Sequence, residues 1–214
     1  MAIGRRRFLG HCSAWLAAAS ALTALAAETS KTVLVVGDSL SAEYGLVRGT
    51  GWVALLEQRL ATRRPAVGIV NASISGDTTS GGLSRLPELL ARHRPTHAIV
   101  ELGGNDALRG LPLSLTQANL SAMARAAKGA GAKVLLVGMQ VPPNYGRKYG
   151  DDFAALFAAV AKAEGAALVP FLLKGVADAP QAEALFQADR IHPNAQAQAA
   201  MMENVWAVLQ PLLK

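Results

Sequence analysis

Five short, continuously apolar runs, each followed by an amphipathic helical pattern, constrain this chain more tightly than any other feature. The runs are TVLVVG (32–37), AVGIVNA (66–72), THAIVEL (96–102), AKVLLVGMQ (132–140) and AALVP (166–170). Around them, GWVALLEQRLATRR (51–64), SGGLSRLPELLARH (80–93), SLTQANLSAMARAAKGAG (114–131), DDFAALFAAVAKAEG (151–165) and NAQAQAAMMENVWAVLQPLL (194–213) carry apolar residues near i, i+3, i+4 and i+7. Strands that are apolar throughout are covered on both faces, and their alternation with helices is the pattern of a parallel sheet. At 214 residues, 51% of them hydrophobic, the chain can bury one core of this kind. It shows neither an internal repeat nor a low-complexity linker after its N-terminal segment. The expectation is a single α/β domain over residues 27–214, with three α/β/α layers about a five-stranded parallel sheet.

Residues 1–26 read as an export signal. A basic segment, GRRRFLG, precedes an apolar one, SAWLAAASALTALAA, and Ala24-Leu25-Ala26 suits cleavage before Ala27. Arg5-Arg6 followed by Arg7-Phe8-Leu9 fits a twin-arginine signal as well as an arginine-rich secretory one. Either sends the protein to the periplasm or outside the cell. The apolar segment falls short of the roughly 20 residues a span requires, so no stable membrane insertion is expected once the signal is removed. Cys12, the only cysteine, lies within this segment, which leaves the mature chain no disulfide and no thiol nucleophile. The formal charge of +6 includes Arg5, Arg6 and Arg7; beyond residue 26 there are 18 basic and 15 acidic side chains. Without a basic run, nucleic-acid binding is not indicated. No oligomer seam is visible, and a monomer is expected.

Open parallel sheets bind ligands outside the carboxyl ends of their strands. Polar clusters stand there: Gly37-Asp38-Ser39-Leu40-Ser41, Asn71 to Thr78 around Gly76, and Gly103-Gly104-Asn105-Asp106, with Asp189-Arg190-Ile191-His192-Pro193 near the C-terminus. Singly, each has an ordinary reading. Asp38 or Ser39 caps a helix, the glycines make turns, and His192 is a surface histidine. Together they hold every part that acyl transfer needs. A serine such as Ser39 becomes nucleophilic when a base takes its proton, and histidine suits that task, which makes His192 the candidate base. Asp189, three residues earlier, is within reach of the imidazole and would fix its tautomer. The N–H groups of Ser39 and Gly76 and the side-chain amide of Asn105 are candidate oxyanion donors, and a glycine at 76 permits close backbone approach. Ser39 is also expected at a helix N-terminus, where free N–H groups favour negative charge.

In order and spacing, Gly37-Asp38-Ser39-Leu40, Gly76, Gly103-Gly104-Asn105-Asp106 and Asp189-x-x-His192 resemble the SGNH (GDSL) hydrolases. VNASISGDT, VELGGNDALRG, NYGRKY and IHPN are similar to their envelope subgroup of acyl-CoA thioesterases, lysophospholipases and arylesterases. The resemblance implies a flavodoxin-like SGNH hydrolase fold, a triad of Ser39, Asp189 and His192, and an oxyanion hole of Ser39, Gly76 and Asn105. It implies hydrolysis of small-molecule acyl esters and thioesters through a covalent acyl-enzyme, without metal or cofactor. A carbohydrate O-acetylesterase uses the same parts and is the alternative. A noncatalytic acyl- or glycan-binding protein of this fold would show a damaged site, whereas all five residues are present. Ser41 stands two residues after Ser39, so the strained Gly-x-Ser-x-Gly elbow is absent. Arg190 departs from the subgroup, where glycine is common.

By the same resemblance, residues 107–112 and 141–150 wall an acyl groove lined by Leu108, Leu111, Val141, Pro142 and Tyr145. Arg109, Arg147 and Lys148 either meet a phosphate or carboxylate head group or form a solvated loop face. Two other patterns carry no function. His93 and His97 have i, i+4 spacing, but Pro95 breaks the helix that would align them as metal ligands. GTGWVA (49–54) has the glycine spacing of a dinucleotide turn but lies twelve residues beyond the end of its strand at Gly37. Met201, Met202 and Trp206 read as core contacts of the last helix.

Overall fold

The computed structural model describes residues 31–214. The export signal and Cys12 lie outside the described residues. Five strands, β1 (Thr32–Gly37), β2 (Gly68–Asn71), β3 (His97–Glu101), β4 (Lys133–Val137) and β5 (Ala167–Val169), form one parallel sheet in the order β2-β1-β3-β4-β5. Its helices are α1 (Trp52–Ala61), α2 (Thr79–His93), α3 (Gly104–Leu108), α4 (Leu113–Gly129), α5 (Arg147–Glu164) and α6 (Gln198–Leu212).

Why the layers form is visible in the side chains. Val33 to Val36 are fully buried, so both faces of β1 need cover. On one face α1 packs beside α6, and on the other α2, α4 and α5 pack in succession. Each helix turns a three- and four-spaced stripe inward: Trp52, Leu56 and Leu60 from α1, Leu86 and Leu90 from α2, Leu120, Met123 and Ala127 from α4, Phe153, Phe157 and Val160 from α5. Phe153 and Phe157 meet edge-on, with centroids 5.2 Å apart. Met201 and Met202 of α6 are buried; Trp206 is only partly so, and the Arg59 and Arg63 guanidinium groups lie 5.3 and 5.9 Å from its ring.

The strands are shorter than the apolar runs that announce them. β4 ends at Val137, and the next residue, Gly138, runs close against the chain after β5: its N–H donates to the Val169 carbonyl at 2.8 Å, and a Cβ there would lie 2.4 Å from the Pro170 carbonyl oxygen. His97 is buried, its Nδ1 2.9 Å from Thr96 Oγ1 and its Nε2 2.9 Å from the Leu212 carbonyl, which ties β3 to the end of α6. Gly49 and Gly51 close a loop around the Glu43 carboxylate, which accepts from both of their N–H groups.

The strand order locates the site. After β2 the chain crosses from one flank of β1 to the other, so the connections diverge above β1 and β3, and such a switch point opens a crevice. The turn after β1 carries Ser39, and α3, which follows β3, carries Asn105 in its first turn.

Candidate active site

Beyond Gly37 the chain forms turns over residues 39–45, and α1 begins only at Trp52. The helix expected to begin at Ser39 is therefore a single helical turn, in which Ala42 N–H donates to the Asp38 carbonyl at 2.9 Å. Its cap is Asp38, whose Oδ1 accepts from Leu40 N–H at 3.0 Å. Ser39 does not cap; its side chain is left to point elsewhere.

It points to His192. Ser39 Oγ lies 2.9 Å from His192 Nε2, and His192 Nδ1 lies 2.7 Å from Asp189 Oδ2, although Ser39 and His192 are 153 residues apart in sequence. The Asp189 carboxylate is organised by its own turn. Oδ1 accepts the N–H groups of Ile191 and His192 at 2.9 and 3.0 Å. These bonds, the one from His192 first, hold the Asp189 carboxyl below its ordinary range, at about 2. An ionised carboxylate can only accept, so Nδ1 carries the hydrogen and a neutral ring leaves Nε2 as an acceptor facing Ser39 Oγ–H.

Two candidate oxyanion donors are unengaged: the N–H groups of Ser39 and Gly76 make no hydrogen bond among the described residues. Gly76 has φ +79°, which a side chain would oppose. Asn105 differs. Its Nδ2 donates to Asp38 Oδ2 at 3.0 Å and to the Asp77 carbonyl at 2.9 Å, so both amide hydrogens have internal acceptors. Gly103, at φ +117°, starts α3 and turns Asn105 toward the cleft, while Asp106 faces inward and accepts from Thr79 N–H and the hydroxyls of Thr79 and Thr116. The asparagine and the aspartate of this turn thus have separate duties. Arg85 braces the neighbouring loop, pairing with Asp77 Oδ2 at 2.8 Å and donating to the Ala72 carbonyl.

Residues 35–200 match the model of the GDSL-like lipase/acylhydrolase family. The chain belongs to this family. Esterase TesA of Pseudomonas aeruginosa is 53% identical over 184 residues, covering 86% of this chain and 90% of that one. The thioesterase 1/protease 1/lysophospholipase L1 of Escherichia coli is 41% identical over 187 residues, 87% of each chain. Among solved structures, esterase EstA from Pseudoalteromonas sp., inhibited by monoethylphosphonate, superposes with a TM-score of 0.80 at 37% identity, covering 86% of this chain and 99% of that one. The protein is an ester or thioester hydrolase.

The cleft of this GDSL hydrolase opens into a cavity of about 520 Å³ that reaches Ser39, Asn105 and His192. Leu108, Val141 and Pro142 line it. Arg109, Leu111 and Tyr145 do not: Arg109 Nη2 donates to the Gly76 carbonyl at 2.8 Å, Leu111 N–H donates to the Asp106 carbonyl, and the Tyr145 ring lies parallel to Tyr149. The far wall, Phe171, Leu173, Phe186 and Ile191, comes from the chain after β5 and was not anticipated. Its only sequence signal is an apolar FLL immediately after the fifth strand. Tyr44 was also missed; its ring lies 4.3 Å from that of His192, tilted by 38°. Arg190, at φ +57°, lines the same cavity, which gives a physical reason for glycine being common there in the subgroup.

Proposed function

We propose that the protein is an exported acyl-ester and thioester hydrolase working through a covalent acyl-enzyme on Ser39. The observation that carries this reading is the continuous contact from Asp189 through His192 to Ser39 Oγ at the mouth of an apolar cavity. As Ser39 Oγ forms its bond to the acyl carbon, its proton passes to His192 Nε2. Asp189 keeps Nδ1–H in place and stabilises the imidazolium that results. The carbonyl oxygen, now negative, receives the N–H groups of Ser39 and Gly76, and Asn105 shares an amide hydrogen with it. Collapse releases the alcohol or thiol, which takes the proton from His192, and water then repeats the sequence to free the acid and restore Ser39.

The cavity supports an acyl chain longer than acetyl, since a two-carbon acyl group would leave most of its apolar wall unoccupied. A relative named as a thioesterase and lysophospholipase supports amphiphilic acyl substrates here. Removal of residues 1–26 and delivery to the periplasm or exterior belong to this proposal, as does a monomeric state. Among the described residues no helix is long and apolar enough to cross a membrane.

The test is a series of p-nitrophenyl esters from acetate to palmitate, on the mature chain and on Ser39→Ala. Turnover should peak at medium or long chains, and Ser39→Ala should lose about 10⁴-fold or more of kcat. Activity confined to acetate would turn the reading to a sugar deacetylase, and wild-type turnover by Ser39→Ala would end it.

A further inference from the structure

A buried carboxyl group beside the nucleophile turn has no part in the mechanism. Glu101, the last residue of β3, is fully buried directly behind the nucleophile turn. Its register partner in the sheet is Gly37, the residue before Asp38. Glu101 Oε2 accepts from Ser41 Oγ at 2.7 Å and from Asp38 N–H at 3.4 Å. Ser41 and Asp38, 1% and 3% exposed, bracket Ser39 in the chain. Gly37 is the residue that makes room for this arrangement: a Cβ there would stand 2.7 Å from Ser41 Oγ and 2.9 Å from Glu101 Oε2. The glycine of the Gly-Asp-Ser-Leu block is therefore explained by a carboxyl group 64 residues away in sequence.

We propose that Glu101 is a positioning residue of this active site: its carboxyl clamps the turn that presents Ser39, through Ser41 and Asp38, and through Asp38 it sets the Asn105 carboxamide. This rests on reading Ser39 as the nucleophile. The second half of the proposal follows from the contacts of Asp38, whose Oδ1 receives Leu40 N–H and whose Oδ2 receives Asn105 Nδ2–H. Any movement of the Asp38 carboxylate moves both the turn and the oxyanion amide.

Glu101 does this as a neutral acid. Its Oε1 has no donor among the described residues, which a carboxylate in a dry site would require. Burial, and then the charge of Asp38, push its carboxyl well above the ordinary range. Burial also raises Asp38, to about 6, but bonds from Leu40, Glu101 and Asn105 and the nearby His192 oppose it. The proton of the pair therefore sits on Glu101, whose Oε2 accepts from Ser41 Oγ–H and Asp38 N–H. Two ionised carboxyl groups in contact would repel, and one proton between them removes the conflict.

A glutamine keeps this pattern, a neutral group with an oxygen that accepts from Ser41 and Asp38; a leucine fills the space and accepts from neither. The experiment compares wild type, Ser39→Ala, Glu101→Gln, Glu101→Leu and Ser41→Ala in kcat and KM for a soluble aryl ester, with urea midpoints alongside. Glu101→Gln should keep kcat within about threefold of wild type. Glu101→Leu should lose about 30- to 100-fold in kcat with KM nearly unchanged, because the loss is one of alignment rather than binding. Ser41→Ala removes a single oxygen from the same contact and should lose about tenfold without unfolding. A merely structural role would lower the urea midpoint and leave the kcat of the folded fraction intact, and that result overturns the proposal. So does a Glu101→Gln as impaired as Glu101→Leu. Turnover that survives Ser39→Ala overturns the hydrolase mechanism itself, whereas turnover that needs Ser39 beside a fully active Glu101→Leu overturns the clamp alone.

Discussion

The two halves of the active site are built differently. The nucleophile side is held from inside the sheet, by partners far away in sequence: Glu101 on Ser41, Asn71 Nδ2 on the Ser41 carbonyl at 2.8 Å, and Asp38 on Asn105. The base side is held mainly by itself. Asp189 binds the N–H groups two and three residues ahead of it, and Ile191, the first of these, is 49% exposed. Its side-chain link to the nucleophile turn, apart from the triad, is Gln187, whose Nε2 donates to the Tyr44 carbonyl at 2.9 Å and the Pro193 carbonyl at 3.2 Å, with the Tyr44 ring against His192. The difference teaches that fixed and adjustable parts are separated: the turn carrying the proposed nucleophile Ser39 is held by partners on the sheet, and the proposed base His192 stands on a surface loop.

The contrast yields graded expectations. His192→Ala should lose about 10⁴-fold or more of kcat, since nucleophile and base act as a unit, with a urea midpoint close to wild type because the loop is exposed. A large loss of stability would show that this loop is part of the core after all. Gln187→Ala should lower kcat about three- to tenfold by freeing the base loop from Tyr44, at a stability cost of about 1 kcal/mol. Unchanged kinetics would mean that the triad contacts alone hold the loop. Arg190→Gly relieves a left-handed residue, φ +57°, and should raise stability by about 0.5–1 kcal/mol in urea unfolding. A lower midpoint would mean that the arginine side chain stabilises the loop by more than its backbone costs.

The smallest effect is that of pH on Asp189. Its carboxyl in the folded protein lies at about 2, below the ordinary 3.8, so the ionised form favours folding. That contribution is complete above about pH 4 and is lost as pH falls toward 2. The stability gap between wild type and Asp189→Asn should narrow between pH 5 and pH 2.5; a constant gap contradicts this origin for it.

How much of this could be read from the chain depended on range. Periodicity announced the layers because Val33 to Val36 and the stripes of α1, α2, α4, α5 and α6 are buried by simple rules of spacing. The polar clusters led to Ser39, Gly76, Asn105, Asp189 and His192 because each follows a strand or lies in a turn of its own. Contacts between distant segments were not legible. Glu101 read as the end of an apolar strand, and only the Gly37 register shows it beneath the nucleophile. The wall from Phe171 to Ile191 has no periodic pattern, and the groove was assigned to loops of which only Leu108, Val141 and Pro142 reach the cavity. The helix expected at Ser39 is cut short for a local reason: Glu43, Gly45 and Gly49, all at positive φ, keep the segment in turns until Trp52.

The central claim is that Ser39 carries the acyl group. The direct measurement is the intact mass of wild type and Ser39→Ala after exposure to a reactive organophosphonate ester, followed by peptide mapping and residual activity. One adduct per chain, on Ser39, with activity lost in proportion and no adduct on Ser39→Ala, is the expected result. An adduct on another residue, or full activity in a chain labelled at Ser39, would contradict it.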